Sequence, residues 1–123
     1  MSYVELSCMS NFSFLQGASH PEELVLQASL LNYKGIAITD ECSVAGVVRA
    51  HAAIKAQQLT IRLIVGSVLC LDDSLQVVLL CPCRQAYGEL CRIITNARRR
   101  ADKGHYRLNE WDLMSIKHCL MIW

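Results

Sequence analysis

The sequence predicts an α/β fold in which mostly parallel strands are joined by crossover helices, with one hairpin. Strand-like and helix-like segments alternate from the start of the chain, as in β-α-β units. The apolar run Gly35–Ile38 is typical of a strand covered on both faces. Two further apolar runs flank Asp72-Asp73-Ser74, which favours a turn between antiparallel strands.

The first strand is predicted at residues 3–8 and the first helix shortly after them. Ser19 can cap this helix, and Glu22 lies three residues later, as in a capping box. Gly35 is expected to end it in a left-handed conformation. The buried face is expected to consist of Leu24, Ala28 and Leu31.

The second strand, residues 36–39, precedes a helix that Ser43 can cap. The three- and four-residue spacing predicts that His51 is buried or half-buried on the apolar face of this helix. That face comprises Val44, Val47, Val48, His51 and Ile54.

The remaining elements follow from apolar runs and turn residues. A third strand is predicted at residues 61–65, ended by Gly66, followed by a hairpin of residues 68–71 and 75–80. A third helix spans residues 85–100, a short fourth helix begins near Asn109, and residues 118–123 form a last strand with an apolar edge.

Composition narrows the class of protein. The chain has 123 residues, 53% of them hydrophobic, which is enough for one domain with a core. The net charge of +1 gives no overall sign of nucleic-acid or membrane binding. No signal peptide or membrane span is recognisable, so we expect a soluble, cytoplasmic protein without a membrane partner.

The seven cysteines are expected to be structural or incidental. A disulfide framework is not expected without a secretory signal. Cys81-Pro82-Cys83 has Cys-x-Cys spacing, and no second pair completes a zinc site.

Asp40 and Glu41 follow the buried second strand directly. In parallel α/β folds, ligands and metals bind at the carboxyl ends of the strands. The two carboxylates are therefore candidate metal ligands, although adjacent strand residues point to opposite faces. The alternative is that they are polar residues that cap the following helix.

Two segments, residues 10–24 (SNFSFLQGASHPEEL) and 37–51 (AITDECSVAGVVRAH), resemble a known family. They are similar to the start of the PHP (polymerase and histidinol phosphatase) domain of bacterial C-family DNA polymerases, especially the error-prone branch related to the DNA polymerase III alpha subunit. Residues 87–92 and 98–108 continue the likeness. The resemblance implies that residues 1–123 are a partial PHP domain, the first half of a distorted (β/α) barrel, with the polymerase domains absent.

Intact family members bind divalent manganese or zinc, and the resemblance locates the corresponding positions. The His-x-His motif falls on Ser7 and Met9, the Thr-Asp-His motif on Asp40 with Glu41 in place of His, and a later carboxylate on Val68. Hydroxyl, thioether and alkyl side chains are poor ligands for these ions. We therefore expect at most a weak cation site at Asp40 and Glu41, no bound cofactor and no catalytic residue.

Arg98, Arg99 and Arg100 lie in the basic cluster of the chain. They are candidates for contact with a nucleic-acid backbone. The alternative is a solvated helix C-terminus, where cations complement the helix dipole.

The expected function is that of a truncated PHP segment of an error-prone DNA polymerase, in the context of DNA replication and translesion repair, and inactive by itself. Its expected partners are the remainder of the polymerase chain and DNA, and open sheet edges favour self-association of the segment. Two alternatives remain: a metal-dependent phosphoesterase that uses Asp40 and Glu41, and a small DNA-binding module that uses the basic helix.

Overall fold

A five-stranded sheet is the centre of the structure, a computed structural model that describes residues 2–123. The strands lie in chain order: β1 (Val4–Cys8), β2 (Gly35–Glu41), β3 (Arg62–Cys70), β4 (Gln76–Cys81) and β5 (Leu120–Ile122). The helices are α1 (Pro21–Leu30), α2 (Ala45–Ala56), α3 (Arg84–Arg99) and α4 (Glu110–Leu113). Strands β1, β2 and β3 are parallel to one another. Strand β4 is antiparallel to β3, and β5 is antiparallel to β4. The predicted α/β class is confirmed.

Strand β2 is the most deeply buried element. Every residue from Gly35 to Asp40 is buried, including Ile36 and Ile38 on the side of the helices and Ala37 and Thr39 on the opposite side. The prediction of a strand covered on both faces is therefore correct. Its carboxyl end delivers Asp40 and Glu41 to the edge where β1 and β3 also end.

The helices pack against one face of the sheet in two adjacent cores. Helices α1 and α2 cover β2 with one core, comprising Val25, Ala28, Ile36, Ile38, Ala50, Ala53 and Ile61. Helix α3 covers β3 and β4 with the other core, which we call the α3 core; its most buried members are Leu69, Val77, Leu79, Leu90, Ala97 and Leu108. Ile38 pairs with Val65 across β2 and β3, so Leu69, four residues later, points to the same face as Ile38.

The prediction that Gly66 ends the third strand is wrong. Strand β3 runs through Gly66 to Cys70, and the predicted hairpin is the β3–β4 pair with its turn at residues 72–74. A Cβ atom at Gly66 would lie 2.7 Å from the Leu79 carbonyl oxygen and 2.8 Å from Leu80 Cδ2. This glycine therefore allows β4 to approach closely rather than breaking the strand.

The predicted caps of the first two helices need correction. His20 is the N-cap of α1 in place of Ser19, and its N–H donates to Glu23 Oε1 at 3.3 Å. The left-handed residue after α1 is Asn32, with φ 59°, because Gly35 already belongs to β2. Helix α2 has Val44 as its N-cap, although the Ser43 Oγ accepts a hydrogen bond from the Ala45 N–H at 3.1 Å.

The predicted apolar faces of α1 and α2 are correct only in part: Ala28 is buried, and Leu24 and Ile54 pack against the core, but three predicted members are exposed. Val48 is 74% exposed and His51 is exposed, while Leu31 lies at the surface. The two helices pack on each other and on β2 through small or compact side chains, which let their backbones approach. The buried residues are Pro21, Val25 and Ala28 on α1, and Gly46, Ala50 and Ala53 on α2.

The predicted last strand is present as β5, at the edge of the sheet beside β4. Glu89, buried on α3, fixes the chain that enters this strand. Its carboxylate accepts the backbone N–H groups of Lys117, His118 and Cys119 at 2.9, 2.9 and 3.0 Å. Burial alone would raise the pKa of Glu89, but these three hydrogen bonds outweigh it and hold the pKa at about 2.

None of the helices in residues 2–123 has the length and hydrophobicity that a membrane span requires.

Replacing Glu89 by Gln removes a charge that three N–H groups solvate, so we expect the Tm at pH 7 to fall by several degrees. The pKa of Glu89 is lower in the folded chain than in the unfolded chain. Its contribution to stability is therefore complete above about pH 4.5 and is lost as the pH falls toward 2. Urea unfolding between pH 2 and pH 7 measures both effects.

The exposed Glu110 provides the control, as Glu110→Gln. If Glu89→Gln and the native chain lost the same amount of stability between pH 4.5 and pH 2, the three hydrogen bonds would not be the cause.

Candidate functional site

The Asp40 carboxylate lies at the carboxyl end of β2 and is 1% exposed. Its Oδ1 accepts hydrogen bonds from the Ser10 N–H at 2.7 Å and from the Ser13 Oγ at 2.8 Å. Its Oδ2 accepts one from the Ser10 Oγ at 2.8 Å. Both oxygens thus accept hydrogen bonds from the loop between β1 and α1. These hydrogen bonds fix the loop to β2.

Gly46, in the first turn of α2, packs directly on this carboxylate. A Cβ atom there would lie 2.8 Å from Asp40 Oδ2 and 3.1 Å from Ser10 Oγ. The α2 N-cap is Val44, so the alternative that Asp40 caps this helix is wrong. Asp40 instead joins the loop, the strand and the helix start through buried polar contacts.

Glu41 turns to the opposite side and has different partners. The Tyr106 hydroxyl donates to Glu41 Oε1 at 2.7 Å, and the Gln16 amide donates to Oε2. Partial burial would raise the pKa of Glu41, but the hydrogen bonds from Tyr106 and Gln16, with the charge of Arg98 nearby, hold it below its ordinary value. The two carboxylates therefore have different donors, although the Ser13 Oγ that donates to Asp40 also accepts a hydrogen bond from the Glu41 N–H at 3.0 Å.

Tyr106 connects Glu41 to β3. Its hydroxyl accepts a hydrogen bond from the Cys70 N–H at 2.9 Å while it donates to Glu41. Burial, followed by the hydrogen bond to Glu41, raises the pKa of Tyr106. A cavity of about 480 Å³ opens beside this pair; its lining includes Phe12, Phe14, Gln16, Arg98 and His105.

The positions that the family resemblance assigns to metal ligands differ in exposure. Ser7 is exposed, Met9 is half-buried, and Val68 is 5% exposed in the sheet, paired with Glu41. Within residues 2–123, no group of three or more His, Cys, Asp and Glu side chains is placed to hold a metal ion. Ser7, Met9 and Val68 offer hydroxyl, thioether and alkyl groups in place of the imidazole, carboxylate or thiolate ligands that manganese and zinc prefer.

The three consecutive arginines at the end of α3 point in different directions. Arg98 turns inward: its Nη2 donates to the Cys42 carbonyl at 3.0 Å and its Nη1 to the His105 carbonyl at 3.3 Å. Arg100 forms an ion pair with Asp112 at 2.7 Å, and Arg99 is exposed. Contact of all three arginines with a nucleic acid stays a prediction. The Arg98 side chain is used for hydrogen bonds within the fold.

The sequence matches the PHP domain family over residues 5–120. The chain belongs to the PHP domain family. It is 69% identical over 123 residues to an error-prone DNA polymerase of Vibrio campbellii, and 48% identical over 124 residues to one of Saccharophagus degradans. Each comparison covers the whole of this chain and 12% of the relative, so this PHP domain spans a small part of those polymerases.

Solved structures support the fold. The PHP domain superposes on an amidohydrolase from Chromobacterium violaceum with a TM-score of 0.60 and 22% identity, over 78% of this chain and 33% of that one. It superposes on a candidate metal-dependent phosphoesterase from Bifidobacterium adolescentis with a TM-score of 0.52 and 24% identity, over 80% and 35% of the two chains. The prediction of a partial barrel of the PHP type is confirmed.

Several residues of the site were not identified from the sequence. Ser10 and Ser13 lie in the segment that carries the family resemblance, but no periodicity marks them as partners of Asp40. Tyr106 is separated from Glu41 by 65 positions, so its hydroxyl could be assigned only from the folded chain.

We expect Asp40→Asn to lower the free energy of unfolding by roughly 2–4 kcal/mol, because an amide nitrogen would replace one of two buried acceptors. Urea unfolding at pH 7 measures the change. Asp102→Asn, at an exposed aspartate, is the matched control. Equal effects of the two substitutions would contradict a structural role of the Asp40 network.

Arg98→Ala leaves the Cys42 and His105 carbonyls without their guanidinium donor. We expect a loss of about 1–3 kcal/mol in the free energy of unfolding. The neighbouring Arg99→Ala should change it by less than about 0.5 kcal/mol. Thermal or urea unfolding of the two variants side by side makes this test, and the reverse order of effects would show that Arg98 is not the structural arginine.

Proposed function

We propose that this PHP domain is a non-hydrolytic structural unit of an error-prone DNA polymerase, with DNA replication and translesion repair as its context. Two lines of support converge. The relatives that match the whole chain carry the name error-prone DNA polymerase. The corner at which related domains would bind ions is instead a closed set of hydrogen bonds around Asp40.

The Asp40 network is the observation on which this proposal depends. A carboxylate that ligates a metal must direct an oxygen lone pair at the ion. Both Asp40 oxygens already accept hydrogen bonds from Ser10 and Ser13, and the side chain is almost inaccessible. These three hydrogen bonds leave the carboxylate about one free lone pair, on Oδ2 beside Gly46, so a bound ion would have to share Asp40 with Ser10 and Ser13 in a tightly packed place.

Hydrolysis needs more than one weak cation ligand. A metal-activated water is generated by a cation held in a fixed coordination geometry. Ser7, Met9 and Val68 supply no such ligands, and Glu41 is engaged by Tyr106 on the other side of the strand. The phosphoesterase alternative therefore has little support in the donor chemistry.

The proposed role is to provide a folded surface for the rest of the polymerase chain and, through it, for DNA. The two outer strands expose apolar side chains that favour such contacts, or contact with a second copy. These are Val4 and Leu6 on β1, and Leu120 and Ile122 on β5.

A manganese titration tests the proposal. We expect 1 mM MnCl₂, taken as roughly 100 times the Kd of an ordinary site, to leave the Tm unchanged relative to EDTA, whereas occupancy of a real site would add about 2.7 kcal/mol of stability. Hydrolysis of bis(p-nitrophenyl) phosphate should stay at the level of the Asp40→Asn variant. A manganese-dependent rise in Tm together with hydrolysis, both lost in Asp40→Asn, would overturn the proposal.

A further inference from the structure

Two cysteines face each other across the last two strands. The antiparallel register pairs Val78 with Ile122 and Leu80 with Leu120. Continuing that register by one residue sets Cys81, the last residue of β4, opposite Cys119, the residue that precedes β5. Directly opposed side chains of an antiparallel pair project from the same face.

Both cysteines pack on the same group of buried residues, the α3 core. The Cys119 thiol donates a hydrogen bond to the Ala86 carbonyl at 3.1 Å, which directs it beneath α3. The thiols are half-buried and close enough for each to perturb the pKa of the other.

The backbone at this position also suits a covalent link. The Cys119 N–H donates to Glu89 and is not available for a hydrogen bond across the strands. In antiparallel sheets, opposed residues that do not exchange hydrogen bonds have Cα atoms about 4.5 Å apart. That separation lies within the range of roughly 4.4–6.8 Å that disulfides bridge.

We propose that Cys81 and Cys119 are a redox-sensitive pair that small-molecule disulfides, such as oxidised glutathione, convert into an intramolecular cross-strand disulfide. One protein thiolate attacks the small disulfide, forms a mixed disulfide and releases one small thiol. The second protein thiolate then attacks the protein sulfur of the mixed disulfide and releases the second small thiol. Overall, two protein thiols are oxidised, one disulfide is reduced, and the two protons pass to the departing thiols.

Burial governs how fast this exchange proceeds. It raises the pKa of Cys81 to about 11 and that of Cys119 to about 12, so both thiols are mainly protonated at neutral pH. Because the thiolate is the nucleophile, the exchange is slow at pH 7 and accelerates with rising pH.

The disulfide would fasten β5 to the sheet at a point next to the Glu89 contacts. It would close a covalent loop that contains α3 and α4, which lie between the two cysteines in the chain. Cross-links of this size restrict the unfolded chain, so oxidation should raise the Tm by roughly 5–15 °C.

The test is oxidation of the 123-residue chain with oxidised glutathione at pH 7 and pH 9, followed by tryptic mapping without reduction. Cleavage after Arg62, Arg84 and Lys117 gives the peptides 63–84 and 118–123. We expect these two peptides to be joined, faster at pH 9, with the Tm raised. Fragmentation of the joined peptide locates the bond at Cys81 rather than at Cys70 or Cys83.

Substitutions complete the test. Cys81→Ala and Cys119→Ala should each abolish the joined peptide and the rise in Tm, whereas Cys83→Ala, at an exposed cysteine two residues away, should leave both unchanged. Glutathione carried only on Cys83, or a joined peptide that persists in Cys81→Ala, would overturn the proposal.

Discussion

The interaction on which the structure depends most is the hydrogen bonding of one buried carboxylate. A charge as inaccessible as that of Asp40 costs several kcal/mol unless donors replace its water. Ser10 and Ser13 provide them, and both belong to the loop that follows β1. The need to solvate the carboxylate thus fixes that loop, and Gly46 lets α2 begin against the same group. Strand, loop and helix are held in place together.

A second network joins the other side of the strand end to the chain that follows α3. Tyr106 bridges Glu41 and the Cys70 N–H, while the Arg98 guanidinium lies 5.1 Å from the Tyr106 ring centroid and donates to the Cys42 carbonyl. These hydrogen bonds hold the end of β2 from its second face. A metal centre differs in that several ligands direct lone pairs at one ion. The proposed structural role rests on this difference.

The sequence predicted the elements whose signals are local. The apolar run of β2 and the acidic turn at residues 72–74 required no knowledge of neighbours. The buried faces of α1 and α2 were predicted only in part, because hydrophobic spacing favoured Val48 whereas close helix packing selected small residues such as Ala50. The prediction that Gly66 ends the third strand was wrong for the same reason. The role of this glycine depends on β4, which packs directly against it.

In the candidate site, too, local features were predictable from the sequence and distant contacts were not. That Asp40 and Glu41 lie at a strand end, pointing apart, followed from the residue order alone. Their partners come from distant segments and needed the fold. Anomalous diffraction at the manganese edge, from crystals of this PHP domain grown with manganese, tests the central claim most directly. We expect no anomalous peak within about 2.5 Å of the Asp40 oxygens, the distance at which oxygen ligands bind such cations. A peak there, with Ser10 and Ser13 displaced from the carboxylate, would contradict it.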